Sequence, residues 1–252
     1  MSQESELLEI AHYAKALRLP AIGANFADIL AQAKRDGWSH TRFITELLSL
    51  ELNEREARRC QRLLIEAKIP RTKLLGEFNL ADSSITTETL EFLLRGDFCD
   101  VATSVVLVGG PGTGKTHLLI GTLVSLTAKG KKVRYTNAAT LVNELHEAQD
   151  DHMLSKVIER YQRLDVLAID ELGYLQLDRR GAELLFQVIT EREEQSSLMV
   201  ATNLPFSEWN GIFSDPRLAG AVVDRITFNS KIIETGSSSF RLRSAIATKQ
   251  KK

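Results

Sequence analysis

Three features of this 252-residue sequence predict an α/β fold, with a parallel sheet covered by helices and a small all-helical segment in front of it. Past residue 75, short apolar runs alternate with helical stretches, as in a parallel sheet buried on both faces. One of those runs leads directly into a glycine-rich loop and then a further helical stretch, in strand, loop, helix order. Before residue 75 no strand pattern appears, and apolar residues recur at helical spacing.

In the first segment Leu7, Ile10, Ala14 and Leu17 follow one helical pattern, and Phe43, Leu47 and Leu50 follow another. Residues 20–23 and 36–39 supply breaks, and Pro70 closes a long pattern that starts near Thr41, so three or four helices are expected. The expected strands are 105–108, 133–136, 166–169, 198–201 and 231–234, each too short and too bounded for a helix. Two domains are expected: a helical N-terminal domain over 1–75 and an α/β domain over 76–252.

A hydrophobic content of 43% and a charged content of 26% are those of an ordinary globular protein, neither disordered nor fibrous. The net charge of -1 argues against a uniformly basic nucleic-acid binder, but the charge is uneven along the chain. Residues 51–73 carry seven basic side chains (Arg55, Arg58, Arg59, Arg62, Lys68, Arg71 and Lys73) against four acidic ones. Residues 225–252 carry seven basic side chains against Glu234 alone. Both stretches are candidates to meet phosphates. Cys60 and Cys99 lack the spacing of a metal site or a disulfide framework, which fits a reducing compartment and inert thiols. No run of about 18 apolar residues occurs, and the acidic, polar start MSQESELLEI is unlike a secretory signal. A cytoplasmic protein is expected.

Gly109, Gly110, Pro111, Gly112, Thr113, Gly114, Lys115 and Thr116 fit the pattern G-x-x-x-x-G-K-[ST]. Backbone N–H groups can wrap a triphosphate only where side chains are absent at the tight turns, and the glycines provide that clearance. The helix that follows, through His117, points its positive end at the phosphates. Lys115 is expected to reach the β and γ phosphates, and the Thr116 hydroxyl to ligate Mg²⁺.

About 55 residues later an apolar strand ends in Asp170 and Glu171. Strand ends of this kind are where ligands collect in open α/β sheets. Asp170 is expected to hold Mg²⁺ through water, and Glu171 to orient or deprotonate the attacking water. An Asp-Glu pair after a strand is also a common helix start, a reading that the nearby phosphate loop makes the weaker one. Asn203, after another apolar strand, is open to two readings: a neutral hydrogen-bond donor to the γ phosphate or water, or a turn residue before Leu204 and Pro205. Arg225 is likewise open, between a finger that stabilises the charge of γ-phosphoryl transfer and a surface ion-pair partner.

GGPGTGKTHL at 109–118, LAIDELGYL at 167–175, LLFQVITER at 184–192, ATNLPFSEW at 201–209, AVVDRI at 221–226 and SSFRLR at 238–243 are six ordered blocks. In them the chain resembles the IstB family of AAA+ ATPases, helper proteins of bacterial transposons close to the DnaC helicase loaders. LRLPAIGANFADIL at 17–30 is also similar to the family. Gly110 stands where proline is frequent and Phe240 where tyrosine is common, and neither change removes a group given a role above.

The resemblance implies an AAA+ core without a separate C-terminal lid domain, acting as an ATPase on ATP with Mg²⁺. It implies that Asn203 senses the γ phosphate and that Arg225 acts in trans on the ATP of a neighbouring subunit in a homo-oligomer. Arg241 is read either as a lid-like phosphate contact or as a basic tail residue. The implied function is a transposition helper that assembles on duplex DNA and recruits or activates the transposase of the same element. Phosphate contacts would dominate the DNA interaction, making it salt-sensitive. Candidate contacts are Lys156, Arg160 and Arg163, with Arg58, Arg59 and Arg62 from the N-terminal patch; a solvated helix face is the alternative for the first three. The rival functions are a DnaC-like helicase loader, which would bind single-stranded DNA and a replicative helicase, and an ATP-dependent protein-interaction switch.

Overall fold

A computed structural model describes residues 3–81, 83–174, 176–213 and 215–237. The block SSFRLR, with Phe240 and Arg241, lies outside the described residues. The chain divides into two compact units, Met1–Arg62 and Leu63–Lys252.

The first unit is helical, formed by α1 (Gln3–Ala16), α2 (Pro20–Arg35) and most of α3 (His40–Glu66). The chain breaks at Arg18, whose φ is 57°, and α2 then starts with Pro20 in its first turn. Pro20 suits that position because its missing N–H has no intrahelical partner there in any case. Gly23 lies inside α2 and interrupts nothing. The residue before α2, Leu19, has no side chain able to cap the free N–H groups of the first turn. Glu51 of α3 does so instead: its Oε2 accepts from the N–H groups of Ala21 at 2.9 Å and Ile22 at 3.2 Å. Arg55, one turn further along α3, donates from Nε to the other carboxylate oxygen at 2.9 Å.

The second unit is a five-stranded parallel sheet with helices on both faces. Its strands are β1 (Ser104–Val108), β2 (Val133–Asn137), β3 (Val166–Leu172), β4 (Ser197–Thr202) and β5 (Ser230–Glu234), in the order β2-β3-β4-β1-β5. Alternate strand residues feed two cores, as the period of two requires. Val105 and Leu107, Val166 and Ala168, and Met199 and Ala201 join α4 (Thr87–Arg95) and α5 (Lys115–Ala128) through Leu93, Leu119 and Leu123. Val106, Leu167, Ile169, Leu198 and Val200 face the other way. There they meet Leu141 of α6 (Ala138–Asp150), Ile158 of α7 (Leu154–Gln162), Leu185 of α8 (Arg179–Thr190) and Val222 of α9 (Pro216–Phe228). Each such leucine or valine, fully withdrawn from water, contributes about 1.5–3 kcal/mol.

Four helix starts of this unit are capped by the side chain of the residue just before them. Thr86 caps α4, Asn137 caps α6, Asp178 caps α8 and Asp215 caps α9. The chain leaves β1 through α5 on one face and reaches β3, β4 and β5 through helices on the other. The crevice outside the carboxyl ends of the strands at such a switch point is where open α/β sheets bind ligands. Among the described residues no helix follows β5, and no helix is long and apolar enough to cross a membrane.

Candidate nucleotide site

The glycine loop joins β1 to α5 at that crevice. Gly114 immediately precedes the helix in the left-handed region, at φ 99°, and a Cβ there would stand 2.6 Å from the ring of Phe78. Gly109 lies so close to Thr235 and Gly236, beyond β5, that a Cβ would collide with them. The loop is fastened from both sides, the N–H of Gly109 donating to Thr202 O at 3.2 Å and that of Gly110 to Gly236 O at 2.9 Å. Thr113 completes the fastening through its hydroxyl, 2.9 Å from Gly110 O and 2.6 Å from Thr235 Oγ1. Lys115 folds back over the loop and donates from Nζ to Gly109 O at 2.7 Å and Gly110 O at 2.8 Å.

A cavity of about 400 Å³ opens on the N-terminus of α5, lined by Gly112 through His117 and by residues of the 71–83 segment, among them Arg71, Lys73 and Phe78. His117 borders it, its ring edge-on to Phe78 with centroids 5.4 Å apart and its Nε2 2.9 Å from Leu74 O. Pro111 belongs to the same turn but does not line the cavity.

The acidic pair stands at the end of β3, whose register against β4 shifts between Ile169 and Leu172. Glu171 has a φ of 59°, uncommon for a residue with a side chain, and it is exposed whereas Asp170 is only 3% exposed. The irregularity therefore separates two neighbouring carboxylates, one fixed inside and one turned out. Asp170 is held through both oxygens, accepting from the Glu171 N–H at 2.9 Å and from the Tyr135 hydroxyl of β2 at 3.0 Å. Burial, together with the charge of and hydrogen bond to Asp170, pushes the Tyr135 phenol well above its ordinary range, so it stays a donor at neutral pH.

Asn203 follows β4, the strand between β1 and β3, and so stands between the glycine loop and the acidic pair. Its Oδ1 is buried without a hydrogen-bond partner among the protein atoms. As an acceptor, that oxygen can take a hydrogen bond from a water or a ligand donor, while the side-chain N–H₂ is the part able to donate to phosphate.

Arg225 is elsewhere. On α9 it pairs with Glu193 and stacks over Phe186, 5.0 Å from the ring centroid. It borders a small hollow with Ser104, Leu198 and Asn229, at the starts of β1, β4 and β5, the end of the sheet opposite the loop. At ~3.3 Å per residue, β1 alone separates that end from the loop by roughly 17 Å.

The expected DNA contacts are exposed, but several are engaged within the chain. Arg160 pairs with Glu144 and Arg163 with Glu159. Arg58 donates to Glu54 O at 3.1 Å, Arg59 and Arg62 are exposed on the same helix, and Lys156 is exposed on α7. Arg71 and Lys73, from the same basic stretch, line the nucleotide cavity instead.

Tyr135 and Phe78 carried no signal as site residues, and Arg71 and Lys73 were legible only as part of a basic stretch, because nothing in their spacing ties any of them to the loop; only the fold does. The residues present fit a nucleotide with Mg²⁺: a loop cleared of side chains, a lysine and a helix N-terminus for phosphates, and a hydroxyl and a buried carboxylate as hard oxygen ligands. The Cys99 thiol agrees with the inert reading, burial pushing it up to about 12.

The sheet order, the glycine loop after β1, the carboxylates on β3 and the asparagine after β4 define a P-loop protein of the AAA+ class. Within that class the chain belongs to the family of IstB-like ATP-binding proteins, which matches residues 12–248. It is 34% identical to an insertion-sequence ATP-binding protein of Sinorhizobium fredii, over 93% of this chain and 79% of that one. It is also 34% identical to the IS5376 ATP-binding protein of Geobacillus stearothermophilus, over 93% of this chain and 94% of the relative. In fold it is similar to AMPPCP-bound DnaA of Aquifex aeolicus, with a TM-score of 0.57 and 16% identity over 73% of this chain and 55% of that one. The DnaC helicase loader is similar at a TM-score of 0.50 and 21% identity, over 68% of this chain and 98% of that one.

Proposed function

We propose that this chain is a Mg²⁺-dependent ATPase that serves an insertion sequence as a transposition helper. In this reading it assembles on duplex DNA in its ATP-bound form and recruits or activates the transposase of the same element. The observation that carries the ATPase reading is the gathering of loop, buried Asp170, outward Glu171 and orphaned Asn203 at the carboxyl ends of three adjacent strands. The insertion-sequence names of relatives aligned over 93% of the chain support the helper role.

The backbone N–H groups of the loop and Lys115 bind and orient the polyphosphate, Lys115 exchanging its two loop carbonyls for phosphate oxygens. Thr116 and Asp170 would hold Mg²⁺, which would supply positive charge against the phosphates. Glu171 positions the water and takes its proton, and Asn203 donates its amide N–H to the γ phosphate or to that water. Arg225, too far from its own loop, completes the site of a neighbouring copy, so turnover requires the homo-oligomer. In the proposed domain roles the α/β part is the ATPase and the helical part serves DNA or a partner, and the proposed compartment is the cytoplasm.

The DNA role is tested by a gel shift of duplex against single-stranded DNA with a non-hydrolysable ATP analogue. ATP-stimulated, salt-sensitive binding of duplex is expected. Preference for single strands would favour the loader reading, and no ATP-stimulated DNA binding would favour the interaction switch.

A further inference from the structure

We infer that Arg71 and Lys73 form a cationic clasp that closes over the terminal phosphates of the bound nucleotide within the same chain; this rests on the nucleotide reading of the site. By composition both belong to the basic stretch of residues 51–73 and look like DNA contacts. The fold sends them elsewhere. Just after α3 the Tyr135 N–H donates to Ala67 O at 2.8 Å, which pins the chain to β2. Ile69 packs against the core and Leu75 is 3% exposed, so both ends of the short intervening stretch are held. Arg71 and Lys73 lie between those anchors and line the same cavity as Lys115 and Thr116.

Two observations point to a ligand. Among the described residues neither side chain makes an ion pair or a hydrogen bond, unlike the neighbouring Arg55, which is committed to Glu51. Lys115 and Thr116, which line the same cavity, are the loop residues expected at the terminal phosphates, so a cation beside them stands where the triphosphate carries most charge. Among the described residues the acidic side chain in the lining, Glu77, is turned back on its own segment, with Oε2 3.4 Å from the Leu74 N–H. A polyanion of three phosphates brings more charge than Lys115 and the helix N-terminus alone balance, and arginine is suited to bidentate phosphate contact.

The test is calorimetric titration of the full chain with ATP, ADP and AMP in Mg²⁺, comparing wild type, Arg71→Ala with Lys73→Ala, and Arg71→Lys with Lys73→Arg. The alanine pair is expected to weaken ATP about tenfold or more, equivalent to roughly 1.4 kcal/mol, and ADP by clearly less, with AMP unchanged; the charge-preserving pair regains much of the ATP affinity. Both positions are solvent-accessible, and an unchanged thermal melt shows the variant folded. The clasp is overturned if wild type binds ATP and the folded alanine pair binds it equally well, including the case in which only DNA affinity falls. It is equally overturned if ATP, ADP and AMP all weaken alike. If wild type itself gives no heat with ATP, the nucleotide reading fails, a result distinct from failure of the clasp alone.

Discussion

Lys115 rests on two carbonyls of its own loop, so its ammonium is already aimed at the place where phosphate oxygens would replace them. Lys115→Ala removes the one side-chain cation of the loop and is expected to abolish ATP binding in calorimetry. Glu171 has a different duty. It is exposed and held in an unusual backbone conformation, and Glu171→Gln preserves its shape while removing the base. ATP affinity is expected to persist while kcat falls by about 10²–10⁴, a general-base contribution of ordinary size, and the assembled state accumulates. Hydrolysis at the wild-type rate would rule out the water-activating role. Tyr135 acts on Asp170 and not on the nucleotide. Tyr135→Phe deletes a hydrogen bond of about 1.5–3 kcal/mol to a carboxylate, and the expected result is a raised Mg²⁺ requirement at unchanged nucleotide affinity without Mg²⁺.

Among the elements, α2 is unusual in taking its N-terminal cap from α3. Glu51→Ala leaves the N–H groups of Ala21 and Ile22 without that acceptor and is expected to destabilise the helical unit by about 0.5–2 kcal/mol in urea unfolding. Burial opposes ionisation of Glu51, yet the hydrogen bonds from Arg55, Ile22 and Ala21 hold its carboxyl below the ordinary glutamate range. A lowered folded value means that the unfolded chain takes up the proton first as the pH falls. The stabilisation is therefore full above the ordinary glutamate pKa and lost as pH drops through the lowered one. Glu51→Gln should flatten that acid limb of the stability profile. Arg192, after α8, does comparable structural work between elements, donating to Tyr161 O, to Leu164 O at 3.1 Å and to Ser197 O at 3.0 Å. Burial pushes its pKa down to about 10, against the pull of Asp165. It ties the end of α7 to the start of β4, which explains a fully buried arginine that touches no nucleotide.

For the molecule as a whole the decisive fact is the distance between Arg225 and the loop of the same chain. The strands that order the site also hold Arg225 at their opposite end, paired with Glu193. If it serves catalysis, it serves another copy. Arg225→Ala is expected to keep ATP affinity and lose turnover by about 10³-fold or more. Mixing it with Lys115→Ala protein should restore part of the activity, because one variant supplies an intact loop and the other an intact finger. No recovery in mixtures that still co-assemble would leave Arg225 with its ion pair alone.

The sequence by itself determined the local chemistry and the periodic architecture. The five strands lie within a residue or so of the expected runs at nearly every end, β3 running furthest past its run; the central β1, β3 and β4 were the plainest, because strands buried on both faces must be largely apolar. The glycine loop was legible for a similar reason: Gly114 occupies a conformation and a space that a side chain would not tolerate. Tertiary structure decided what depends on contacts between distant residues. Sheet order put Asn203 between loop and carboxylates, β2 brought Tyr135 to Asp170, and the path after α3 turned Arg71 and Lys73 into the cavity. A charge count along the chain cannot see which way a segment runs. Motifs whose parts are neighbours in sequence are therefore readable in advance, whereas partners separated by tens of residues meet only when the sheet closes.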